Sequence, residues 1–257
     1  METGIHRSAA VGYERAPAAY ELGRPGYPEQ AIALLAERLG LGPGRVVLDL
    51  AAGTGKMTRA LVATAADVVA VEPVAEMRAA LAESLPSVRA LSGTAEAIPL
   101  EQGSVDAVTV AQAFHWFRGE EALAEIHRVL RPEGRLGLVW NFRDETVPWV
   151  AELTRIMDPH RGDAPRAASG AWRGAFERTA LFGPLEQATF RHVHRLTVDG
   201  VVARAASVSF VAALPEQRRA QVLADARELV DAQRDAEIEL PYLTEVYWTR
   251  RRADARR

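Results

Sequence analysis

The chain has 257 residues, of which 48% are hydrophobic and 25% charged, so it is long enough for one sizeable α/β domain and too short for two independent enzymes. Its net charge of −3 gives no broad attraction to nucleic acid, and the absence of cysteine excludes disulfides, thiolate chemistry and cysteine-based metal sites. Because the start lacks the apolar stretch of a signal peptide and no run reaches membrane-spanning length, we expect a cytoplasmic protein that binds neither nucleic acid nor a membrane.

Residues 1–28 are expected to form an N-terminal cap ahead of the core. The run GRPGYP at 23–28 is typical of a turn, and Pro28 is well placed to open a helix. From Glu29 the apolar residues follow helical spacing, and Gly40 stops the run.

Residues 29–141 alternate between strand and helix patterns and form the expected cofactor-binding core. This alternation requires a parallel sheet with helices on both faces, and right-handed crossovers then determine the winding. We therefore predict a doubly wound, mostly parallel α/β sheet of the Rossmann-like type. The predicted strands are 46–50, 67–71, 88–92, 105–111 and 135–140, and the predicted helices are 55–64, 75–84 and 119–130.

Residues 46–58 (VVLDLAAGTGKMT) combine a short buried strand, a turn of small residues and the start of a helix. Such a turn lets the backbone approach a nucleotide closely, and the helix N-terminus offers unpaired N–H groups. A phosphate-binding P-loop would need a glycine at Leu50 and a hydroxyl at Met57. The dinucleotide fingerprint would need glycines at Ala51 and Lys56. The segment is therefore a nucleotide site with little capacity to bind phosphate.

Two acidic residues lie at the carboxyl ends of neighbouring predicted strands. Asp49 ends the first strand, and Glu72, 23 residues later, ends the second. An acidic residue at the second position accepts hydrogen bonds from ribose hydroxyls. A ribose, little room for phosphate and nearby acids suit a cationic nucleoside, and S-adenosylmethionine is the obvious one. The plain alternatives are charges at helix N-termini for the two acids and ordinary turn residues for Gly53 and Gly55.

The alternation ends after residue 141. Residues 148–182 carry aromatic anchors without a strand pattern, and 200–230 is helical. We expect these two segments to be helical insertions that form a substrate lid over the carboxyl edge of the sheet. The last two strands are predicted at 187–197 and 238–250.

His192 and His194 share one face of the first of these strands, at a spacing that metal ligands also use. Because no third ligand is nearby and Arg191 and Arg195 flank them, we predict that no metal binds there.

The succession DLAAGTGK, VVAVEP, GTAEAIPL, SVDAVTVAQAFHWF and RVLRPEGRLGLVWN resembles the class I S-adenosylmethionine-dependent methyltransferases. More narrowly, AQAFHWF after the fourth strand resembles a small-molecule branch that includes trans-aconitate methyltransferase-like proteins. The resemblance covers residues 20–141. It implies a seven-stranded sheet with an antiparallel last strand at its edge, S-adenosylmethionine as cofactor and S-adenosylhomocysteine as product.

The resemblance also implies roles for particular residues. Thr94 would contact the adenine through its side chain and Ala95 through its backbone N–H, while a helix N-cap is the alternative for Thr94. Met77 would pack on the adenine or simply in the core. Two positions depart from the family: Ala51 replaces its first glycine, at little cost where φ is negative, and Thr94 replaces a common Asp. The predicted cofactor residues are Tyr20, Arg24, Asp49, Ala51, Gly53, Glu72, Met77, Thr94, Ala95 and Gln112.

Relatives share the run Y-x-x-x-R-P-x-Y-P, which here places Tyr20, Arg24 and Tyr27 near the start of the chain. This run would close over the cofactor, with Arg24 near the carboxylate of its methionine part. Packing of the run against the first helix is the alternative.

Gln112, His115 and Trp116 follow the fourth strand, which in this fold ends beside the transferred methyl group. Aromatic side chains there can surround a sulfonium by cation–π contact, and a histidine is suited to accept a proton near neutral pH. A structural hydrogen bond from its ring to the backbone is the alternative for His115. Methyl transfer to a carboxylate needs no base, so a catalytic histidine is not obligatory. His115 is the catalytic candidate, and the predicted substrate residues are Tyr27, His115, Trp116, Asn141 and Trp149.

Taken together, these features predict an enzyme that transfers a methyl group from S-adenosylmethionine to a small organic molecule, on a carboxylate or phenolic oxygen. Transfer to nitrogen or carbon of a small metabolite is the alternative within the same class. The rivals are an NAD-type oxidoreductase, which the missing glycine fingerprint opposes, and a non-catalytic binding module on the same fold. The 30 arginines against a single lysine suggest a bacterial source, and the oligomeric state is left open.

Overall fold

The computed structural model describes residues 24–233 and 237–253 of the chain. The predicted cofactor residue Tyr20 and most of the expected cap at 1–28 lie outside the described residues.

The described residues contain a seven-stranded sheet. Its strands are β1 (Val46–Leu50), β2 (Asp67–Val71), β3 (Arg89–Leu91), β4 (Val105–Ala111), β5 (Leu130–Arg143), β6 (Glu186–Leu196) and β7 (Ile238–Arg250). Their order in the sheet is β3-β2-β1-β4-β5-β7-β6. The first five strands pair in parallel, β1 with β2 and β4, β2 with β3, and β4 with β5. The predicted doubly wound, mostly parallel α/β fold is confirmed.

Helices connect the strands. They are α1 (Glu29–Leu39), α2 (Lys56–Val62), α3 (Ala75–Ser84), α4 (Gly119–Val129), α5 (Pro148–Met157), α6 (Gly174–Glu177), α7 (Val198–Ala206), α8 (Ser209–Ala212) and α9 (Glu216–Asp231). Gly40 ends α1 as predicted, with a left-handed φ of 66° that glycine adopts without strain. No helix in the described part of the chain is long and apolar enough to cross a membrane.

Helix α1 packs closely against the sheet. Leu35 and Leu39 are fully buried and share a cluster with Val47 and Val139 of the strands. Gly137 of β5 allows this approach, because a Cβ at that position would lie 2.6 Å from Cδ1 of Leu35. The predicted apolar face of α1 therefore packs on the central strands.

The last strand is antiparallel, as predicted, but it does not lie at the edge of the sheet. Arg251 N–H donates to Gly134 O at 2.8 Å and Asp144 N–H donates to Pro241 O at 2.9 Å. The start of β5 is therefore bonded to the end of β7 and the end of β5 to the start of β7, so the two strands run antiparallel. β7 lies between β5 and β6, and β6 forms the edge, which makes the predicted edge position of β7 wrong. The residues agree with this order: β6 alternates exposed and half-buried positions and has no fully buried residue, whereas most of β7 is buried.

Most predicted strand bounds agree with the structure, and the insertions differ. β5 is longer than the predicted 135–140 at both ends. Within 148–182 only α5 is a helix of several turns, and the rest consists of short turns and α6, because Pro and Gly interrupt the helical pattern. The predicted helical segment 200–230 is divided into α7, α8 and α9.

By its internal contacts the chain divides into two compact units. Among the described residues, unit 1 comprises 24–26, 141–164, 191–233 and 237–243, and unit 2 comprises 27–140, 165–190 and 244–253. Unit 2 contains the parallel strands β1 to β4 and the motif-rich segment of the sequence, so most predicted cofactor residues belong to it.

Candidate functional site

The candidate site lies in unit 2, at the carboxyl ends of β1, β2 and β4. β1 and β4 are neighbours in the sheet although β2 and β3 separate them in the chain, so the winding direction reverses between them. Open α/β sheets bind ligands at such a switch point. Asp49 pairs in register with Ala70 of β2 and Thr109 of β4, which brings the predicted site residues of three strands to one place.

The turn after β1 has a strained backbone. Ala51 has a φ of 58°, and Gly53 and Gly55 have φ values of 58° and 91°. The condition under which alanine would cost little here, a negative φ, is not met, because the turn has a left-handed residue where it leaves the strand. This conformation costs an L-residue other than glycine roughly 1–2 kcal/mol. A Cβ at Gly53 would meet nothing within 4 Å, so space for a ligand lies beside that backbone.

Glu72 fastens this turn to β2. Its Oε2 accepts from Gly53 N–H at 2.8 Å, and its Oε1 accepts from Val74 N–H at 2.9 Å. Burial raises the pKa of Glu72 above its ordinary value, and the two backbone donors oppose that rise. A carboxylate has about four acceptor sites, so two hydrogen bonds leave capacity for the hydroxyls of a ribose.

Asp49 is fully buried beneath the turn and bonds to threonine hydroxyls. Thr58 Oγ1 donates to its Oδ2 at 2.6 Å, and Thr109 Oγ1 donates to its Oδ1 at 3.3 Å. Burial raises the pKa of Asp49 to about 7, and the hydroxyl bonds oppose that rise. Asp49 therefore links β1 to α2 and β4. The sequence analysis missed both threonines, although a Thr in the otherwise apolar run VTVA of β4 was a signal.

The segment after β4 carries the predicted reacting residues. Gln112 has a φ of 61° and donates its N–H to Val139 O at 2.8 Å, so β4 also ends in a strained residue. His115 lies in a 3-10 turn (Phe114–Trp116), and its ring lies 5.0 Å from that of Trp116. Trp140 Nε1–H donates to His115 Nδ1 at 3.3 Å. His115 thus makes a structural hydrogen bond, but its partner is a side chain and not the backbone group that the alternative proposed.

This bond determines the state of the imidazole. An indole N–H is a donor only, so Nδ1 of His115 must be the acceptor nitrogen without a proton. In a neutral imidazole the other nitrogen, Nε2, then carries the hydrogen. The nitrogen lone pair that a general base would use is engaged by Trp140.

An aromatic cluster packs beside His115 in unit 2, and it includes Trp172, one of the aromatic anchors noted in 148–182. Trp172 stacks on Trp140 with ring centroids 4.5 Å apart, and it contacts the Phe114 ring edge-on at 6.1 Å. Arg173 lies over the rings of Trp172 and Tyr247 and donates to the Tyr247 hydroxyl. The second half of the predicted insertion at 148–182 therefore packs on the turn that carries His115.

Two of the predicted adenine residues, Thr94 and Ala95, belong to a turn after β3. Thr94 O accepts from Ala97 N–H at 3.3 Å, and these residues form an isolated bridge. No helix follows, so the N-cap alternative for Thr94 is wrong; the GTAEA run forms a β-turn instead. Ala95 is buried, and Met77 is 6% exposed at the start of α3.

The remaining predicted residues are divided between the units. Tyr27 belongs to unit 2, where it packs against the cluster of α1, as the packing alternative proposed. In unit 1, Arg24 Nη2 donates to Ser207 O at 3.3 Å and Asn141 Nδ2 donates to Gly26 O at 2.9 Å. Trp149 lines an open cavity of about 430 Å³ in unit 1, together with Arg195, Gln233, Glu237, Ile238 and Glu239.

Comparisons with known proteins agree with this geometry. Residues 48–138 match the methyltransferase domain family. An uncharacterized methyltransferase of Mycobacterium tuberculosis is 42% identical over 89% of both chains, and an uncharacterized methyltransferase-like protein of Schizosaccharomyces pombe is 40% identical over 82% of both. A solved structure from Anaeromyxobacter dehalogenans, a proposed type II methyltransferase, has a TM-score of 0.67 at 25% identity and covers 89% of this chain and 97% of that chain. The similarity extends beyond the matched domain into the C-terminal part of the chain.

The strained turn after β1 leads to a first prediction. Ala51→Gly should raise the free energy of unfolding by about 0.5–1 kcal/mol, because the relieved left-handed strain exceeds the added freedom of glycine in the unfolded chain. The neighbouring Ala52, whose φ is not positive and whose side chain packs near Leu81, is the matched control. Ala52→Gly should lower that free energy by about 0.4–1 kcal/mol. Chemical denaturation measures both, and equal effects of the two changes would contradict the conformation assigned to Ala51.

The buried Asp49 leads to a second prediction, on pH. Its pKa rises from about 3.9 in an unfolded chain to about 7 in the folded one. The folded state then binds the proton more tightly, so this residue's contribution to stability is present at low pH and is lost as pH rises through about 7. The melting temperature of wild type relative to Asp49→Asn should therefore fall from pH 5 to pH 8. A difference that is constant over this range would show that Asp49 does not titrate there.

Proposed function

Because this chain belongs to the class I S-adenosylmethionine-dependent methyltransferases, we propose that it transfers a methyl group to a carboxylate oxygen of a small organic molecule. The observation that carries the choice of acceptor is the hydrogen bond from Trp140 to His115 Nδ1. A phenol, an amine or an acidic carbon must lose a proton during the reaction, whereas a carboxylate is already ionised at neutral pH.

The cofactor residues fit an S-adenosylmethionine site at the ends of β1, β2 and β4. Glu72 would accept from the ribose hydroxyls, and the backbone at Ala51 and Gly53 would face the methionine part. Asp49 would act through the turn, because its own oxygens are bonded to Thr58 and Thr109. When bound, the cofactor supplies an electrophilic methyl group on a sulfonium.

Around the adenine, Thr94, Ala95 and Met77 would provide the contacts, and Gln112 would border the sulfonium. Arg24 is proposed for the methionine carboxylate, in agreement with its charge. These assignments rest on the resemblance to the family and, for Thr94, Ala95 and Gln112, on a position directly after a strand.

His115 is proposed to orient the acceptor rather than to remove a proton from it. With Nδ1 engaged by Trp140, the imidazole presents an N–H at Nε2, and a carboxylate oxygen can accept from such a donor. The neighbouring Trp116 would exclude water and align the oxygen with the methyl group. Alignment and desolvation are the main contributions a protein makes to this type of displacement.

Several features support a small acceptor. Aromatic side chains from 165–182 pack beside the His115 turn, as in sites that bind small molecules. The net charge of −3 provides no attraction for the phosphates of RNA or DNA. Tyr27, Asn141 and Trp149 are kept as further acceptor contacts. Methylation of an amine or an acidic carbon requires a base, so the absence of a base in the mechanism distinguishes this proposal from N- or C-methylation. Measurable turnover would distinguish it from a binding module.

The third prediction concerns Glu72. Glu72→Ala should weaken S-adenosylhomocysteine binding by about 1.5–3 kcal/mol, the scale of hydrogen bonds to a charged group. Glu72→Gln keeps the shape of the side chain and should also weaken binding, which separates the lost charge from a disturbed turn. Glu76→Gln, at an exposed position of the following helix, is the control and should bind normally. Calorimetric titration with the same affinity in all four proteins would remove Glu72 from the site, and tight NAD binding would refute the cofactor.

The fourth prediction concerns His115. In protein labelled with ¹⁵N-histidine, with His115→Gln used for assignment, the spectrum at neutral pH should show the Nε2–H tautomer. Methyl transfer to carboxylate acceptors should be nearly flat from pH 5.5 to 8.5, and His115→Ala should slow it by less than the roughly 10²–10⁴-fold typical of a lost general base. A loss in that range, with a rate that rises through the histidine titration, would instead assign His115 as the base.

A further inference from the structure

Two arginines of unit 1 adjoin the same tyrosine. Asp144 N–H donates to Pro241 O at 2.9 Å, which sets Arg143 opposite Tyr242 across β5 and β7, and Arg204 Nε donates to the Tyr242 hydroxyl. Arg143 ends β5 and Arg204 lies in α7, and neither forms an ion pair with a described residue. The Nε–H of Arg143 is buried and has no hydrogen-bond acceptor among the described residues. A buried donor without an acceptor is costly, and more so when it carries charge. As a whole residue Arg143 is half-buried.

Neutral side chains fix the direction of Arg204. Its Nε donates to the hydroxyl of Tyr242 at 3.2 Å, and its Nη1 donates to Ser207 Oγ at 3.3 Å. Tyr242 and Ser207 are 1% and 4% exposed. The guanidinium is therefore oriented by groups that do not neutralise its charge.

Glu145 and Asp158 attract the charge of Arg143, and each also bonds another residue: Asp158 forms an ion pair with Arg161 at 2.6 Å, and Glu145 accepts from Thr154 Oγ1 at 3.2 Å. Burial, followed by repulsion from Arg204, lowers the pKa of Arg143 to about 10, while Tyr242 and the two acids oppose that fall. The group is still protonated at neutral pH, so its charge is only partly compensated by the residues around it.

We propose that Arg143 and Arg204 form a binding site in unit 1 for the carboxylate or phosphate group of a small molecule. A guanidinium matches the geometry of either anion with two parallel N–H donors, and an anion between two such groups removes their repulsion. None of the predicted cofactor contacts at β1, β2 and β4 is involved. The site is an addition to the proposed methyl transfer and does not depend on it.

Thermal unfolding of the full chain tests the site with two probes, malonate for carboxylates and inorganic phosphate for phosphates. Both are titrated at ionic strength held constant with sodium chloride. A ligand that binds only the folded state raises the melting temperature in a saturable way. Wild type should show this shift, and Arg143→Gln and Arg204→Gln should need at least tenfold more of the same anion for an equal shift. Arg155→Gln, an exposed arginine of α5 in the same unit, is the matched control and should behave as wild type.

A second measurement does not need the anion. In buffer without malonate or phosphate, Arg143→Met should melt at a higher temperature than wild type, because an apolar side chain of similar length replaces an unpaired buried charge. Calorimetry with S-adenosylhomocysteine should give the same affinity for all these variants, which separates this site from the cofactor site.

Equal shifts in wild type and the Arg143 and Arg204 variants, or no shift beyond that of sodium chloride, would overturn the proposal. A lower melting temperature for Arg143→Met in anion-free buffer would also overturn it. The anion that saturates at the lower concentration identifies the ligand as a carboxylate or a phosphate.

Discussion

The candidate site depends on one constraint: the chain must leave β1 through a left-handed turn that passes directly over a buried acid. Ala51 accepts the strain of a positive φ, and two hydrogen bonds hold the turn that follows, from Gly53 N–H to Glu72 and from Ala52 N–H to Val71 O. Below it, Asp49 ties β1 to the helix that begins after the turn. If this turn relaxed, the open space at Gly53 and the acceptor atoms of Glu72 would no longer be side by side. The strain at Ala51 is therefore maintained by the strands around it.

A second strained residue lies at the end of β4. Gln112 also has a positive φ, and its N–H is bonded to Val139 of the neighbouring strand. Two adjacent strands thus end in non-glycine residues with left-handed backbones, at the place where the winding of the sheet reverses. Such strain persists only where the surrounding structure over-determines it, and it concentrates at functional sites. After β4 the chain turns sharply, and this turn brings His115 within hydrogen-bond distance of Trp140.

The sequence predicts the parallel half of this fold well, because apolar strands and helical periodicity alternate there at regular lengths. It predicts the acids at the ends of β1 and β2 for the same reason, since parallel strands bring their carboxyl ends to one edge. The positive φ of Ala51 was not predictable from composition, because it is unfavourable for alanine and is imposed by the turn that follows the pairing of β1 with β2. The partners of Asp49 and His115 were missed because Thr109 and Trp140 are distant in the chain and meet them only through the pairing of β1 with β4 and β4 with β5. The interior position of β7 likewise follows from long-range pairing that no local pattern encodes.

The structure treats its buried charges in two different ways. Asp49 and Glu72 accept from hydroxyl and backbone donors, which offset part of the cost of burying each carboxylate, yet burial still raises the pKa of both. The Nε–H of Arg143, in contrast, has no acceptor among the described residues, and Arg204 adjoins the same tyrosine, Tyr242. A buried donor without an acceptor costs more than one that is bonded. An anion bound from outside the chain would supply both the missing acceptor and the opposite charge, which is why the proposed ligand is an anion.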